Sequence, residues 1–257
     1  MNNIYNIFSV EKKRVLITGA ANGNGAFFAK GFARAGSDLF LVDIDKQGLE
    51  RTASNIRNET GRSVRKYLLD LSDSEAIDKF FSIKENTNFD VVINNAGITI
   101  GNSISNYSDL DWELTHKINL TAPYKIIKAV IGGMCERKSG SIINITSLAA
   151  ELGFPGNPAY SSSKGGLKQL TKSVANDVSN FGVRINSVGP GYFKTNMTKK
   201  SWNDKELRSA RSSRIIMDRW GESEDLIGVL IFLASDSSSY ITGQDFYVDG
   251  GWLAKGL

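Results

Sequence analysis

Short runs of β-branched and aliphatic residues alternate with longer amphipathic stretches along the whole chain, and this rhythm constrains the fold more than any other feature. The runs are Arg14–Thr18, Asp38–Asp43, Ser63–Leu69, Asp90–Asn94, Gly140–Thr146, Val183–Val188 and Gln244–Val248. Several are apolar without alternation, as parallel strands covered on both faces must be. Between them a helical period marks 24–35, 46–59, 73–85, 109–134, 158–180 and 222–234. Such alternation predicts an α/β fold, a parallel sheet with helices on both faces. No repeat, low-complexity block or linker divides it, so one domain over 1–257 is expected. Only the segment after Pro190-Gly191 breaks the rhythm, with a basic, helix-like piece carrying Trp202. Insertions after the C-terminal end of a strand border the ligand crevice of such sheets, which predicts a substrate lid at about 192–219.

The composition, with 41% hydrophobic and 23% charged residues, is that of an ordinary soluble globular protein. A single cysteine, Cys135, can form neither an intramolecular disulfide nor, alone, a thiolate metal site, and a reducing cytoplasm fits it best. The opening MNNIYNIFSVEKKR has no charged segment leading into an apolar core, and Ile227–Ala234 is too short to span a bilayer. Neither secretion nor a membrane partner is therefore expected. The net charge of +4 resides in Thr198–Arg219, where Lys199, Lys200, Lys205, Arg208, Arg211, Arg214 and Arg219 outnumber Asp204, Glu206 and Asp218. Charge confined to one segment does not predict nucleic-acid binding; it reads either as a solvated helix face or as an attractor of acidic substrates. No cluster has metal-ligand spacing, and His116, the sole histidine, reads as a helix-surface or interface residue.

The first strand runs into TGAANGNG, Thr18–Gly25, and then into a helix. Gly19, Gly23 and Gly25 let the backbone turn sharply and approach a ligand, while the helix N-terminus offers free N–H groups to a pyrophosphate. Asn22 and Asn24 contribute further backbone donors. Asp43 closes the second strand, where an acid hydrogen-bonds the adenosine ribose hydroxyls; a strand-end turn or helix cap is its structural alternative. A 2′-phosphate beside that carboxylate would meet repulsion of several kcal/mol at an effective dielectric of about 20, a preference for NAD over NADP of about 100-fold or more. Asn22 supplies no compensating charge, Asp45 adds to the repulsion, and Lys46 alone opposes it. Asp70, ending the third strand, suits an adenine contact or a capping turn running from Ser72 to Glu75.

Tyr160 and Lys164 in YSSSK stand four apart on an expected helix and so share a face. An ammonium about 4 Å from the phenol, at an effective dielectric near 20, is worth about 4 kcal/mol, or roughly three pKa units. Tyr160 would then approach neutrality, where acid–base catalysis is most efficient. Ser147 ends the strand before that helix, placed to hydrogen-bond the reacting oxygen, whereas Thr146 points to the opposite face. Alternatives are an exposed Tyr/Lys pair and a strand-end turn serine.

These residues, together with TGxxxGxG at 18–25, Asn94-Asn95-Ala96-Gly97, Asn119, Asn186 and Pro190-Gly191, resemble the short-chain dehydrogenase/reductases over nearly the whole chain. The resemblance implies a Rossmann-like doubly wound sheet of seven parallel strands in the order 3-2-1-4-5-6-7 and hydride transfer between a nicotinamide and a carbonyl or alcohol. It implies a catalytic set of Asn119, Ser147, Tyr160 and Lys164, with Asn119 bending its helix and ordering a water near the lysine; a solvent-facing asparagine is the alternative. Cofactor contacts implied are the glycine loop, Asp43, Asp70, Leu71, Asn95, Ala96, Gly97, Tyr160, Lys164, Pro190, Gly191 and Thr195, with Lys164 on the nicotinamide ribose and Thr195 on the carboxamide. Asn24 departs from the family's Ile or Leu, which implies a lost apolar contact near the nicotinamide. The tail ITGQDFYVDGGWLAKGL is similar to that of members acting on sugars, polyols and sugar acids, such as gluconate 5-dehydrogenases. An NAD-dependent oxidoreductase of such small molecules is therefore expected. A 3-oxoacyl-acyl-carrier-protein reductase is the alternative, and a non-catalytic nucleotide-binding protein the alternative of another class. A homotetramer, pairing helices 109–134 and 158–180 across subunits, is also implied; spacing alone leaves a dimer open.

Overall fold

The computed structural model describes residues 4–62 and 64–255. Ser63, the first residue of the expected third strand, lies outside the described residues, as do the first three residues of the opening segment. A short 3₁₀ turn, Ile4–Phe8, leads into β1 (Arg14–Thr18), α1 (Gly23–Arg34), β2 (Asp38–Asp43), α2 (Lys46–Thr60) and β3 (Val64–Leu68). There follow α3 (Ser74–Phe81), β4 (Val91–Asn94), α4 (Asp109–His116), a π turn (Lys117–Thr121), α5 (Ala122–Glu136), β5 (Gly140–Ile145) and α6 (Pro158–Val178). The chain continues through β6 (Val183–Pro190), α7 (Lys199–Asn203), α8 (Lys205–Ser212), α9 (Glu224–Ala234) and β7 (Asp245–Val248).

All seven strands pair in parallel in the order β3-β2-β1-β4-β5-β6-β7. Alternate side chains of one strand serve opposite faces. Val15 and Ile17 of β1 pack with Phe28, Phe32, Leu49 and Leu230 beneath α1, α2 and α9. Leu16 packs with Phe40, Val92, Ile126 and Met134 beneath α3 and α5. Burial on both faces accounts for the unbroken apolar runs. Strand order reverses direction between β1 and β4, so their carboxyl ends open on a crevice at the topological switch point.

Local chemistry places the helix ends. Asp45 accepts from Gly48 N at 2.9 Å to start α2, which ends at Gly61 with φ 69°. The cap of α3 is Asp73, accepting from Glu75 and Ala76 N–H, so the capping turn expected from Ser72 is displaced by one residue. The helix expected over 109–134 is interrupted by the π turn because the Asn119 side chain bonds outward to the loop after β4 rather than facing solvent. The segment expected as one basic helix is two short ones, with Asp204 capping the second. No helix among the described residues is long and apolar enough to cross a membrane.

Candidate active site

A cavity of about 590 Å³ lies over the carboxyl ends of β1, β4, β5 and β6, and the sequence-predicted residues converge on it. Gly19, Asn22, Gly23, Asn24, Gly25, Asp43, Asp70, Leu71, Asn95, Ala96, Gly97, Ser147, Tyr160, Lys164, Pro190, Gly191 and Thr195 all line it. Asn119 does not line it. It is fully buried behind the wall, where Oδ1 accepts from Ile98 N at 2.9 Å and Nδ2 donates to Ile98 O and to Ser163 Oγ. Gly97 stands between it and the cavity: a Cβ there would sit 3.3 Å from Asn119 Oδ1 and 3.4 Å from Lys164 Nζ.

The glycine loop is held for close approach. Gly19 has φ 66°, and a Cβ on it would lie 2.9 Å from Ala96 Cα. A Cβ on Gly25 would fall on the Gly19 carbonyl oxygen. Asn95 Nδ2 donates to Thr18 O at 2.9 Å and Gly19 O at 3.2 Å, and Thr18 Oγ1 accepts from Asn95 and Ala96 N–H, clamping the β1 and β4 ends together. Asn22 precedes α1 without capping it: its side chain donates to Asp45 at 3.0 Å and accepts from Arg51 at 3.4 Å. The first-turn N–H groups of α1 therefore face the cradle free of any side-chain cap, the arrangement that binds a pyrophosphate. The Asn24 side chain makes a polar contact, Oδ1 accepting from Ser223 Oγ at 2.8 Å.

Asp43 accepts from Ala21 N through Oδ2 at 2.9 Å and from Asp45 N through Oδ1 at 3.0 Å, which fixes its carboxylate at the rim. Arg51, not singled out by the sequence because it lies far along α2, reaches back to Asp45 at 3.5 Å. Asp70 bonds its own turn, accepting from Ser72 N at 2.8 Å and Ser72 Oγ at 2.7 Å, while still bordering the cavity. Further in, Asn94 donates to Asn144 and Asn144 to Thr171, each at 2.8 Å, a buried polar chain tying β4, β5 and α6. Asn186 clamps the β6–β7 edge instead of the cavity, bonding Ile241 O and Gln244 N.

The tyrosine–lysine expectation requires correction. Helical spacing does bring both to the cavity, but Lys164 Nζ lies 5.8 Å from the Tyr160 ring centroid and donates to Ile145 O at 2.6 Å. Burial pushes the Tyr160 phenol above its ordinary value, opposed by a hydrogen bond with Ser147 and reinforced by the nearby Tyr192. Burial likewise lowers Lys164 to about 8. Desolvation is the leading cause of both shifts, and the ammonium donates to a backbone carbonyl. Ser147 is buried at the end of β5, and its Oγ also accepts from Ala149 N at 3.2 Å. His116 lies at the end of α4, 2.9 Å from Trp112 O and 3.0 Å from Ser162 Oγ, and does not line the cavity. Among the described residues no group of three His, Cys, Asp or Glu could hold a metal ion.

Of the far wall, the contributions of Trp220 and Trp252 were not legible. Leu148, Ile215, Trp220 and Trp252 form a small buried cluster with Phe154, Tyr192 and Trp202. Tyr192 lies 4.8 Å from Trp252 and 5.2 Å from Trp220, centroid to centroid. Of the seven basic residues in the charged segment only Arg211 lines the cavity.

The family model described as Enoyl-(Acyl carrier protein) reductase matches residues 19–253. The gluconate 5-dehydrogenase of Gluconobacter oxydans is 36% identical over 247 residues, 95% of this chain and 96% of that protein. The 3-oxoacyl-acyl-carrier-protein reductase of Thermotoga maritima is 34% identical over 244 residues, 94% of this chain and 98% of that protein. Among solved structures, a gluconate 5-dehydrogenase from Burkholderia cenocepacia in complex with NADP and tartrate superposes with a TM-score of 0.91 at 31% identity, covering 99% of this chain and 100% of that one.

Proposed function

The chain belongs to the short-chain dehydrogenase/reductase family, and on that premise we propose that it interconverts a carbonyl and an alcohol on a sugar, polyol or keto-sugar acid with a nicotinamide cofactor, NAD(H) in preference to NADP(H). The observation that carries the reading is the convergence of Ser147, Tyr160 and Lys164 on the cavity that the glycine cradle also lines. The cradle fits a dinucleotide because side chains at Gly19 and Gly25 would fill it and because α1 begins uncapped. Its pyrophosphate would rest on residues 22–25, its adenosine ribose on Asp43, its adenine beside Asp70 and Leu71, and its nicotinamide end among Asn95–Gly97, Lys164, Pro190, Gly191 and Thr195. When bound, the cofactor supplies or accepts the hydride.

The chain's own residues handle the proton. In reduction Tyr160 Oη donates to the carbonyl oxygen while Ser147 Oγ hydrogen-bonds the same oxygen and fixes its place. Enclosure keeps Tyr160 protonated until that moment. The phenolate then left has the Lys164 ammonium beside it, 5.8 Å from the ring centroid, to offset its charge. Asn119 acts behind the wall by fixing Ile98 and Ser163, the latter next to Lys164. Residues 192–219 form a lid over one domain comprising the rest of the chain, and the exposed Leu110, Trp112, Leu114 and Tyr124 on α4 and α5 supply an apolar face for a homotetramer.

Purified protein offered D-gluconate, 5-keto-D-gluconate, D-glucitol and an acetoacetyl thioester with each nicotinamide cofactor should turn over the sugar acids or polyol and not the thioester. Tyr160→Phe should lower kcat by about 10²–10⁴-fold with cofactor affinity intact. Strict thioester turnover with NADPH would make the protein an acyl-carrier reductase, and Tyr160→Phe activity within a few-fold of wild type would remove the acid–base assignment.

A further inference from the structure

Resting on the sugar-substrate reading and deepening it, we propose that Arg211 is the anion anchor of the substrate site, so that the preferred substrate carries a carboxylate and is not a neutral polyol. Among the described residues, the charged side chains lining the cavity are Asp43, Asp70, Lys164 and Arg211. The two aspartates stand at the adenosine end, and Lys164 is engaged with Ile145 O. Arg211 is the lining cation left without such a partner.

The other arginines of the basic segment are committed elsewhere, and its lysines do not line the cavity. Arg219 forms a two-pronged pair with Asp225 at 2.7 and 2.9 Å. Arg208 donates to Trp202 O and lies over the Trp202 ring, and Arg214 lies over Trp252. Arg211 has no carboxylate within ion-pair distance among the described residues. Instead its guanidinium carbon sits 4.7 Å from the Tyr192 ring centroid. Tyr192 is itself packed among Phe154, Trp220 and Trp252, so the guanidinium rests on a braced aromatic plane. A planar, stacked guanidinium keeps a fork of N–H donors that matches a carboxylate.

The position is also right for the reaction. Tyr192 and Arg211 line the same cavity as Tyr160, so a ligand held by the guanidinium shares that cavity with the proposed proton donor. A carboxylate on Arg211 would then be a different group from the carbon reacting at Tyr160, as in a sugar acid oxidised away from C1.

D-Gluconate and D-glucitol share a carbon skeleton and differ in the carboxylate, so their affinities for cofactor-saturated protein, measured by calorimetry, isolate the anchor from turnover. Wild type should bind gluconate about tenfold or more tightly than glucitol, and Arg211→Gln should weaken gluconate about 10- to 100-fold while leaving glucitol within about twofold. Arg211→Lys should recover part of the loss. Unchanged gluconate affinity in Arg211→Gln, or an equal fall for both ligands, overturns the proposal. Equal affinity of wild type for the two ligands overturns it without any variant. Turnover of glucitol with no gluconate preference would leave the hydride-transfer reading standing and this one refuted; a gluconate preference that Arg211→Gln removes, with Tyr160→Phe still active, would do the reverse.

Discussion

Replacing Asp43 by asparagine tests the cofactor preference at its physical source. The carboxylate is held by two backbone N–H groups, from Ala21 at 2.9 Å and Asp45 at 3.0 Å, so it cannot swing away from a ligand without breaking both. A phosphate on the ribose 2′ position about 5 Å away would meet roughly 3 kcal/mol of repulsion per unit charge at an effective dielectric of 20. Half-exposure of the rim and the nearby Arg51, whose side chain is 59% exposed beside Asp45, screen part of this. About 2 kcal/mol remains, a factor of about 30. Asparagine keeps one acceptor for the two N–H groups, at a stability cost of about 1 kcal/mol, and removes the charge. The assay is kcat/KM with NADH against NADPH at fixed substrate. Wild type should favour NADH, and Asp43→Asn should move the ratio toward NADPH by about 30-fold, chiefly through KM for NADPH. An NADPH preference in the wild type, or a ratio unmoved by the substitution, would show that Arg51 and Lys46 rather than Asp43 set the choice.

Lys164→Met should stabilise the fold near pH 7 while abolishing turnover. Burial lowers this lysine from 10.5 to about 8, so between those values the unfolded chain holds more protons than the native one, and wild-type stability rises with pH across that window. The variant's advantage, about 2 kcal/mol near pH 7 after losing the Ile145 hydrogen bond, should shrink from about pH 8 upward; urea unfolding that gives a constant difference would contradict the burial argument. Gly25→Ala should cost about 2 kcal/mol or more and weaken cofactor binding over tenfold, because its Cβ collides with the Gly19 carbonyl and lies 2.6 Å from Asn95 Nδ2. Gly165→Ala, with nothing within 4 Å of the added carbon, is the control that thermal unfolding should find neutral or stabilised.

The strands were readable because a parallel sheet buried on both faces demands uninterrupted apolar runs, and β1 and β2 begin and end where those runs do. The cradle was readable for a similar reason, since backbone crowding at Gly19 and Gly25 excludes any other residue type. What escaped were features made by contacts distant in sequence. The π turn inside the long helix arises from Asn119 bonding to Ile98, a partner 21 residues away that helical periodicity does not register. The spacing of Tyr160 and Lys164 gives their shared face but not the enclosure that raises the phenol, nor the Ile145 carbonyl that the ammonium reaches. The basic segment looked uniform as a count of charges. Aromatic and acidic neighbours engage Arg208, Arg214 and Arg219, and of the segment's cations Arg211 lines the cavity.

That sorting gives the site an electrostatic direction. Both aspartates lie toward the cradle, while Lys164 and Arg211 border the volume next to Tyr160 with no carboxylate between them among the described residues. Positive potential enclosed in a partly apolar cavity is weakly screened, so it acts twice: it draws an anionic substrate to the lid side, and it stabilises the phenolate left when Tyr160 gives up its proton. The same enclosure makes the uncompensated Lys164 destabilising to the fold. A site that carries a buried, unpaired cation at a cost in stability is one in which charge complementarity is completed by the ligand, which is why neutral polyols should bind less well here than sugar acids of the same length.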